Sequence, residues 1–426
     1  MLWIPVLTWA LAALAALLFS IDDSSFQKVL GDLLSRLDEF ASSLGHLPPI
    51  NPNPLPQERT LKDGEIPRYC IDFAPLVHLY SEERYMPYDI ASFVENFKAS
   101  WGNGSVIAEN VSIDTLGDLP DSDDVYLTLL TDFDADPDWI TGKHNHPSLI
   151  DGLIKDAPAT LVVVDKGNGW VDAFWFYFYL FNLGPYVMGA GPYGNHVGDW
   201  EHSLVRFYNG KPQIVWMLAH GGGAAFKYEA MEKYAIDQRH PIIFSATGTH
   251  ANYALVGQFP HDLPYNILCD FTDRGELWNP SRNYLGYTFD GINVFYAQNW
   301  NRQHQGREKK YGHWLKFSGH WGDAEIPMSD PRQKYNFIGG HKYIDGPTGP
   351  LLKNLLRSVP CERHKWWNVF GVCRIRHNLH FGIGVELEGY NCGAIFDWVR
   401  PRWLKLVLDK LTWGGVLCFV ADLIGG

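Results

Sequence analysis

The 426-residue sequence has little charge, no basic surplus and none of the short signatures of common covalent or nucleotide chemistry. Charged residues make up 19%, and 35 Lys and Arg face 48 Asp and Glu, for a formal net charge of −13 at pH 7. Without a basic surplus there is nothing to neutralise a phosphate backbone, so nucleic acid is excluded as a partner. There is no GxSxG elbow, no phosphate-binding Walker loop, no GxGxxG opening a helix after a strand, and no HExxH. The hydrolase, nucleotide-binding and zincin classes that need those spacings are excluded with them. Six cysteines contain no CxxC pair, which removes a zinc ribbon. No repeat of 20 to 50 residues is visible, which argues against a propeller or solenoid. The overall balance is too polar for a multi-span membrane protein, so only the chain ends could touch a bilayer.

What is abundant is apolar and aromatic. Hydrophobic residues reach 46%, and 17 Trp, 21 Tyr and 24 Phe supply ample surface for a buried core. Residues 2–19 form an uncharged run long enough, at about 1.5 Å per residue, to cross most of a hydrocarbon core. This predicts a hydrophobic helix serving as either a signal peptide or a signal anchor, with the chain that follows in the secretory lumen. Two N-glycan acceptors, Asn103-Gly104-Ser105 and Asn110-Val111-Ser112, agree with that compartment. Cys70, Cys269, Cys361, Cys373, Cys392 and Cys418 form an even set compatible with disulfides, the alternative being buried thiols.

The organisation reads as four parts: the hydrophobic segment 1–20, an amphipathic helix and Pro-rich linker over 21–65, a β domain over 66–360, and a Cys-containing extension over 361–426. In the second part Phe26, Val29, Leu30, Leu33, Leu34, Leu37, Phe40 and Leu44 follow the helical period. That stripe is either a stalk or a face packed on the domain. Strand signals recur at 160–164, 171–181, 203–208, 213–218 and 241–245, with a hairpin signal at Lys166-Gly167-Asn168-Gly169. A helix is expected over 87–100, capped by Asp89. The fold class is mainly β, a β-sandwich or small open barrel with peripheral helices, preceded by the N-terminal hydrophobic helix. Near the C-terminus Trp403, Leu404, Val407, Leu408 and Leu411 share a helical face beside basic residues, a pattern that suits a membrane surface or packing on the body.

Chemistry concentrates at 189–205, GAGPYGNHVGDWEHSLV. A glycine-rich loop delivers His196, and strand alternation puts Asp199 and Glu201 on one face with Trp200 and His202 on the other. Two neighbouring carboxylates raise each other's pKa unless a cation lies between them. One imidazole and two carboxylates suit a hard divalent ion, Ca²⁺ or Mg²⁺, so His196, Asp199 and Glu201 are the candidate metal ligands. The alternative partner is Arg206, which parity places on the opposite face. His202, together with His220 and His250 at Gly-flanked strand ends, are binding candidates.

From position 69 to 361 the chain resembles the fungal vacuolar protein sorting-associated protein 62 family. The resemblance rests on IDFAP at 71–75, SEE at 81–83, GNHVGDWEHSLVRFYNGKP, HPIIFSATGTHANYALVG, TDRGELWNP, WLKFSGHWGD and GPTGPLLKNLLR. It implies a secretory-pathway protein connected with delivery to the vacuole. HVGDWEH is also similar to a heptapeptide block of necrosis-inducing Nep1-like proteins, in which a histidine, an aspartate and a glutamate hold a divalent ion at a sphingolipid-sugar site. This chain departs from that block at Val197 and Gly198, and Met188 stands at the offset of a further aspartate.

The expected function is therefore a protein of the vacuolar sorting route in the secretory lumen, vacuole or endomembrane, or outside the cell. Its divalent-metal site would bind a glycan, a lipid head group or vacuolar cargo, and its N-terminal segment would meet the membrane. A metal-dependent hydrolase using the same cleft and a cytolysin-like secreted effector are the alternatives.

Overall fold

The computed structural model describes residues 47–133, 137–186, 191–220, 222–261, 268–297, 312–335 and 340–362, with positions 373, 375–377, 379 and 403. The hydrophobic segment 2–19, the stripe from Phe26 to Leu44, the amphipathic run after Trp403, Cys392 and Cys418 lie outside the described residues. Among the described residues no helix is long and apolar enough to cross a membrane.

Among the described residues, two short helices, α1 (Arg68–Asp72) and α2 (Ile90–Val94), accompany seventeen strands. In chain order these are β1 (Leu76–His78), β2 (Phe97–Trp101), β3 (Val106–Ala108), β4 (Val125–Leu129), β5 (Ala159–Gly167), β6 (Trp170–Asn182), β7 (His196–Tyr208), β8 (Lys211–Ala219) and β9 (Gly222–Lys227). They continue with β10 (Ile242–Ser245), β11 (Asn252–Tyr253), β12 (Gly257–His261), β13 (Leu268–Thr272), β14 (Leu277–Trp278), β15 (Tyr284–Phe289), β16 (Val294–Tyr296) and β17 (Ile375–Arg376).

The fold is mainly β, and its centre is an eight-stranded sheet in the order β16-β15-β5-β6-β7-β8-β9-β17. The β5–β6 and β6–β7 ladders are antiparallel, while β15 joins β5 and β17 joins β9 in parallel. β6 reads WVDAFWFYFYLFN and is buried from Trp170 to Phe181, because both of its faces are covered. On one face Tyr177 packs edge-on against Trp278 at 5.4 Å, and the Tyr179 hydroxyl lies 3.3 Å from Ser245 Oγ, so the small sheet β11-β10-β1-β14 lies over it. On the other face Phe178 and Trp200 meet Trp321 at 5.7 and 5.3 Å, and Phe178 meets Phe93 at 4.7 Å. Phe97 of β2 packs against Phe93 with the rings tilted, centroids 4.4 Å apart, which brings the sheet β3-β2-β4 to that side.

The expected open barrel is corrected by this arrangement. The eight-stranded sheet does not close, because β16 and β17 occupy its two ends, and cover comes from a smaller sheet on each face. The helix expected over 87–100 is likewise shorter. Asp89 caps α2, with Ser92 N donating to its Oδ2 at 3.1 Å, but the chain turns into β2 at Phe97. There Phe97 and Ala99 are buried, and strand pairing to β4 wins over helix continuation. The hairpin signal at 166–169 does join β5 to β6, with Gly167, Asn168 and Gly169 all at positive φ. Part of the expected linker is tied down: Thr60 N and Leu61 N both donate to Asp165 Oδ2, at 2.7 and 2.8 Å.

Candidate functional site

β7 builds the site by alternation. In register with β6, Asp199 faces Tyr179 and Glu201 faces Tyr177, so both carboxyl groups stand on the face covered by the small sheet. They are 5% and 7% exposed, too buried for water to screen them from each other. Trp200 and His202 point the other way, beside Phe178 and Phe176. Gly198 sits between His196 and Asp199 at φ +68, where a Cβ would stand 2.2 Å from the Trp321 carbonyl oxygen. Only glycine fits that close approach.

The positive charge between the acids comes from a distant turn. His250 Nδ1 lies 2.9 Å from Asp199 Oδ2, and its Nε2 lies 3.5 Å from Glu83 Oε1 and 3.2 Å from the Tyr85 carbonyl. The ring stacks on Tyr179 at 3.8 Å. Burial alone would strip the proton from this imidazole, but the Glu83 charge and the Asp199 hydrogen bond prevail and push its pKa up to about 9. Glu83 is fixed in turn by Gly248 N at 2.8 Å and Tyr85 N at 2.9 Å. Its pKa falls despite burial, because the His250 charge stabilises the anion.

Glu201 is treated differently. Burial, and then the Asp199 charge, drive its pKa well above the ordinary carboxylate range, which favours its neutral form. Asn252 Nδ2 donates to its Oε2 at 3.3 Å. Half-buried His196 has Nδ1 2.7 Å from the Gly198 carbonyl, so that nitrogen carries the proton and Nε2 the lone pair. Its pKa is lowered by burial, against the opposing pull of Asp199.

His220 joins through a second acid. Its Nε2 is 2.6 Å from Asp270 Oδ2, and Asp270 also accepts from Thr249 Oγ1 at 2.8 Å and Tyr253 OH at 2.7 Å. Thr249 precedes His250 in one turn, so the two acid–imidazole pairs are neighbours. His250 thus pairs with Asp199 and Glu83, His220 with Asp270, and His196 with the Gly198 carbonyl. His202 is buried on the opposite face, stacked on Phe176 at 4.8 Å with Nε2 3.4 Å from Glu362 Oε2. Burial and then the Arg357 charge keep it neutral. Arg206 is also excluded as the partner of the paired acids, because it grips Asp172 at 2.7 and 2.8 Å on that opposite face.

The donor types suit a hard divalent ion, yet the arrangement does not assemble them. Among the described residues no three His, Cys, Asp or Glu side chains are grouped as ligands, and Asp199 turns its Oδ2 to His250. The arrangement as built is an imidazolium held between Asp199 and Glu83, beside a third carboxyl group, Glu201, whose neutral form is favoured. Reading along the sequence missed Glu83, Asn252 and Asp270 as members. Glu83 stood within a segment of family resemblance, but nothing local ties it to residues more than a hundred positions away.

A sequence profile of vacuolar protein sorting-associated protein 62 matches residues 64–262. The protein of that name from Saccharomyces cerevisiae is 46% identical over 443 residues, covering 95% of this chain and 92% of its own length. A second protein of that yeast, TDA6, whose own assignment to vacuolar protein sorting is provisional, is 46% identical over 420 residues, covering 89% and 88%. Among solved structures, Necrosis and Ethylene inducing Protein 2 from the agent of cocoa's witches' broom disease aligns at 15% identity over 46% of this chain and 72% of its own, with a TM-score of 0.23. A likeness that slight carries no argument. On the long, high-identity matches, the chain belongs to the vacuolar protein sorting-associated protein 62 family.

Proposed function

We propose that this chain acts in vacuolar protein sorting, with its folded body in the lumen of the endomembrane system, as a binding protein whose recognition site is the cluster of Glu83, Asp199, Glu201 and His250. Support for the route comes from the names of its relatives, and for the compartment from the apolar run 2–19 and the two glycan acceptors. The observation that carries the site is its charge balance: Glu83 and Asp199 share the His250 imidazolium, while the buried Glu201 beside them has only the Asn252 amide and its neutral form is favoured.

A site with surplus acid favours cations. Ca²⁺ or Mg²⁺, with His196, Asp199 and Glu201 as ligands, is the proposed occupant, and a glycan, lipid head group or vacuolar cargo is what it would help to hold. When bound, such an ion supplies a hard positive charge that attracts hydroxyl and phosphate oxygens. The chain's own residues orient the site: Gly198 fixes His196, Tyr179 supports His250, and Asn252 holds Glu201.

Calorimetry with Ca²⁺ alone, then Mg²⁺ alone, on the full chain and on Asp199→Asn tests this. Saturable uptake by the parent, weakened about tenfold or more in the variant, supports the site; equal affinity in both, or none in either, overturns the cation. Luminal placement is tested separately by protease protection in sealed vesicles. Digestion of the folded body from the cytosolic side would overturn it.

A further inference from the structure

Leu149 and Ile150 are 97% and 94% exposed, side by side at the tip of the turn 147–152. Single exposed aliphatics are ordinary on any surface, but two adjacent ones in full extension are not. The turn beneath them is rigid. Ser148 N donates to the Leu153 carbonyl at 2.9 Å, Gly152 N to the Ser148 carbonyl at 2.8 Å, and Ile150 N to Ser148 Oγ at 3.3 Å. Asn279 N donates to the Gly152 carbonyl at 2.8 Å and Arg282 Nη2 to Asp151 Oδ2 at 2.8 Å, pinning the turn to the body. The apolar tip is thus held outward by a frame in which those amides already have partners. Nearby, a recess of about 120 Å³ is bordered by Leu76, Tyr234 and Leu277. Ile236, two positions past Tyr234, is a further aliphatic at 80% exposure.

The charges around this face are matched. Asp151 pairs with Arg282, Glu232 with Arg274 at 2.7 Å and Asp237 with Arg239 at 3.3 Å. In a chain of net charge −13, each of these acids has a basic partner alongside.

We propose that this face docks on a lipid bilayer, with Leu149 and Ile150 entering the acyl boundary. The occupant follows from shape and charge. The two side chains stand almost wholly exposed at the edge of the recess that they help to line, so a rigid partner would have to match both ridge and recess, whereas a fluid acyl layer closes around any shape. Amides that stay hydrogen-bonded within the turn do not lose their partners on entering hydrocarbon. The matched rim suits a zwitterionic surface and avoids the repulsion that unpaired acids would meet at anionic lipid. This contact is separate from the cation site and from residues 2–19.

The test is co-flotation of the full chain with phosphatidylcholine vesicles, with Leu11→Lys and Leu14→Lys in every sample so that residues 2–19 do not themselves hold the chain on the vesicle, comparing this parent, the double variant Leu149→Asp/Ile150→Asp, and Ile292→Asp. Ile292 is 87% exposed and lies beyond the far end of β15 from Arg282. All three positions are exposed, so melting temperatures should agree. The double variant should lose about tenfold or more in vesicle partition and Ile292→Asp nothing, with little change when phosphatidylserine replaces part of the phosphatidylcholine. Equal partition of parent and double variant overturns the proposal. So does unchanged partition with a fall in the chain's mass by sedimentation, which would make the turn a contact between copies.

Discussion

His250 and Asp199 stand 51 residues apart in sequence and 2.9 Å apart in space, imidazole Nδ1 to carboxylate Oδ2. This contact brings a positive charge to the paired acids of β7. Asp199 shares the imidazolium with Glu83; Glu201 has only the weaker Asn252 amide, and burial drives its pKa up.

Removing that imidazole should be costly. His250→Ala leaves Glu83 and Asp199 buried without their shared cation, and breaking a buried ion pair typically costs about 3–5 kcal/mol. The pH dependence has a definite sign. The folded pKa is raised from 6.5 to about 9, so the stabilisation is fully present below pH 6.5 and is lost as pH rises through 9. Its full size is on the order of 3 kcal/mol at about 1.4 kcal/mol per pH unit. Thermal melts from pH 6 to 9.5 should fall more steeply for the parent than for His250→Ala; parallel curves would refute the assignment.

Glu201→Gln should behave in the opposite way. The raised folded pKa means that the native state holds a proton the unfolded chain releases, so this residue withdraws stability as pH climbs above the usual carboxylate range. A glutamine keeps the neutral form, so the variant should melt at or above the parent temperature at pH 7.5 in metal-free buffer. It should also lose any response to added Ca²⁺. A variant that melts several degrees lower would mean that Glu201 is ionised in the fold.

Half of this site was legible in the sequence, for a geometric reason. Period-two alternation places Asp199 and Glu201 together and excludes Arg206, and both statements need only the knowledge that β7 is a strand. Glu83 and Asp270 arrive from a loop and from a different sheet, and no local pattern encodes such contacts. His202 lies on the opposite face, as its parity requires, but its burial against Phe176 and Trp216 depends on what covers that face and could not be read locally. At the level of fold, the aromatic run 171–181 announced a strand. That the strand lies at the centre of a sheet covered on both sides, and not in a barrel wall, was set by the remote residues Trp278, Trp314 and Trp321.

The opposite face of β7 carries a second charge cluster with a structural role. Asp172 binds Arg206 at 2.7 Å and lies 3.6 Å from Lys166, and the two cations reach across to the carbonyls of Leu355 and Ser358, both at 2.6 Å. The cluster fastens the 353–362 segment to the central sheet. Asp172→Asn should cost about 3–5 kcal/mol by leaving two buried cations unmatched. Burial lowers the Lys166 pKa from 10.5 to about 8 even though Asp172 opposes it. The unfolded chain therefore holds more protons between those values, and stability should rise with pH across that window. Urea midpoints of the parent and Lys166→Met, compared from pH 8 to 9.5, should differ in slope, the parent's changing in the more positive direction with pH because only it has the Lys166 contribution. Identical slopes would show that Lys166 does not lose its proton there.

Gly198 gives the sharpest local test, because it combines two independent costs at one position. At φ +68 an alanine pays the left-handed backbone penalty of roughly 1–2 kcal/mol, and its Cβ would meet the Trp321 carbonyl at 2.2 Å. That carbonyl belongs to the backbone beside the aromatic cluster of Trp200, Trp314 and Trp321, where rings lie 5.3 to 5.7 Å apart. Relief requires β7 to shift, which would also move the carbonyl that orients His196 Nδ1. Gly198→Ala should therefore lower stability by about 2 kcal/mol or more and disturb near-ultraviolet circular dichroism from the tryptophans. Gly194→Ala bears a positive φ of 85° but has no atom within 4 Å of an added Cβ, so it should suffer the backbone penalty alone and leave the tryptophan signal intact. If the two variants matched in both readouts, the close approach at Gly198 would not exist in solution.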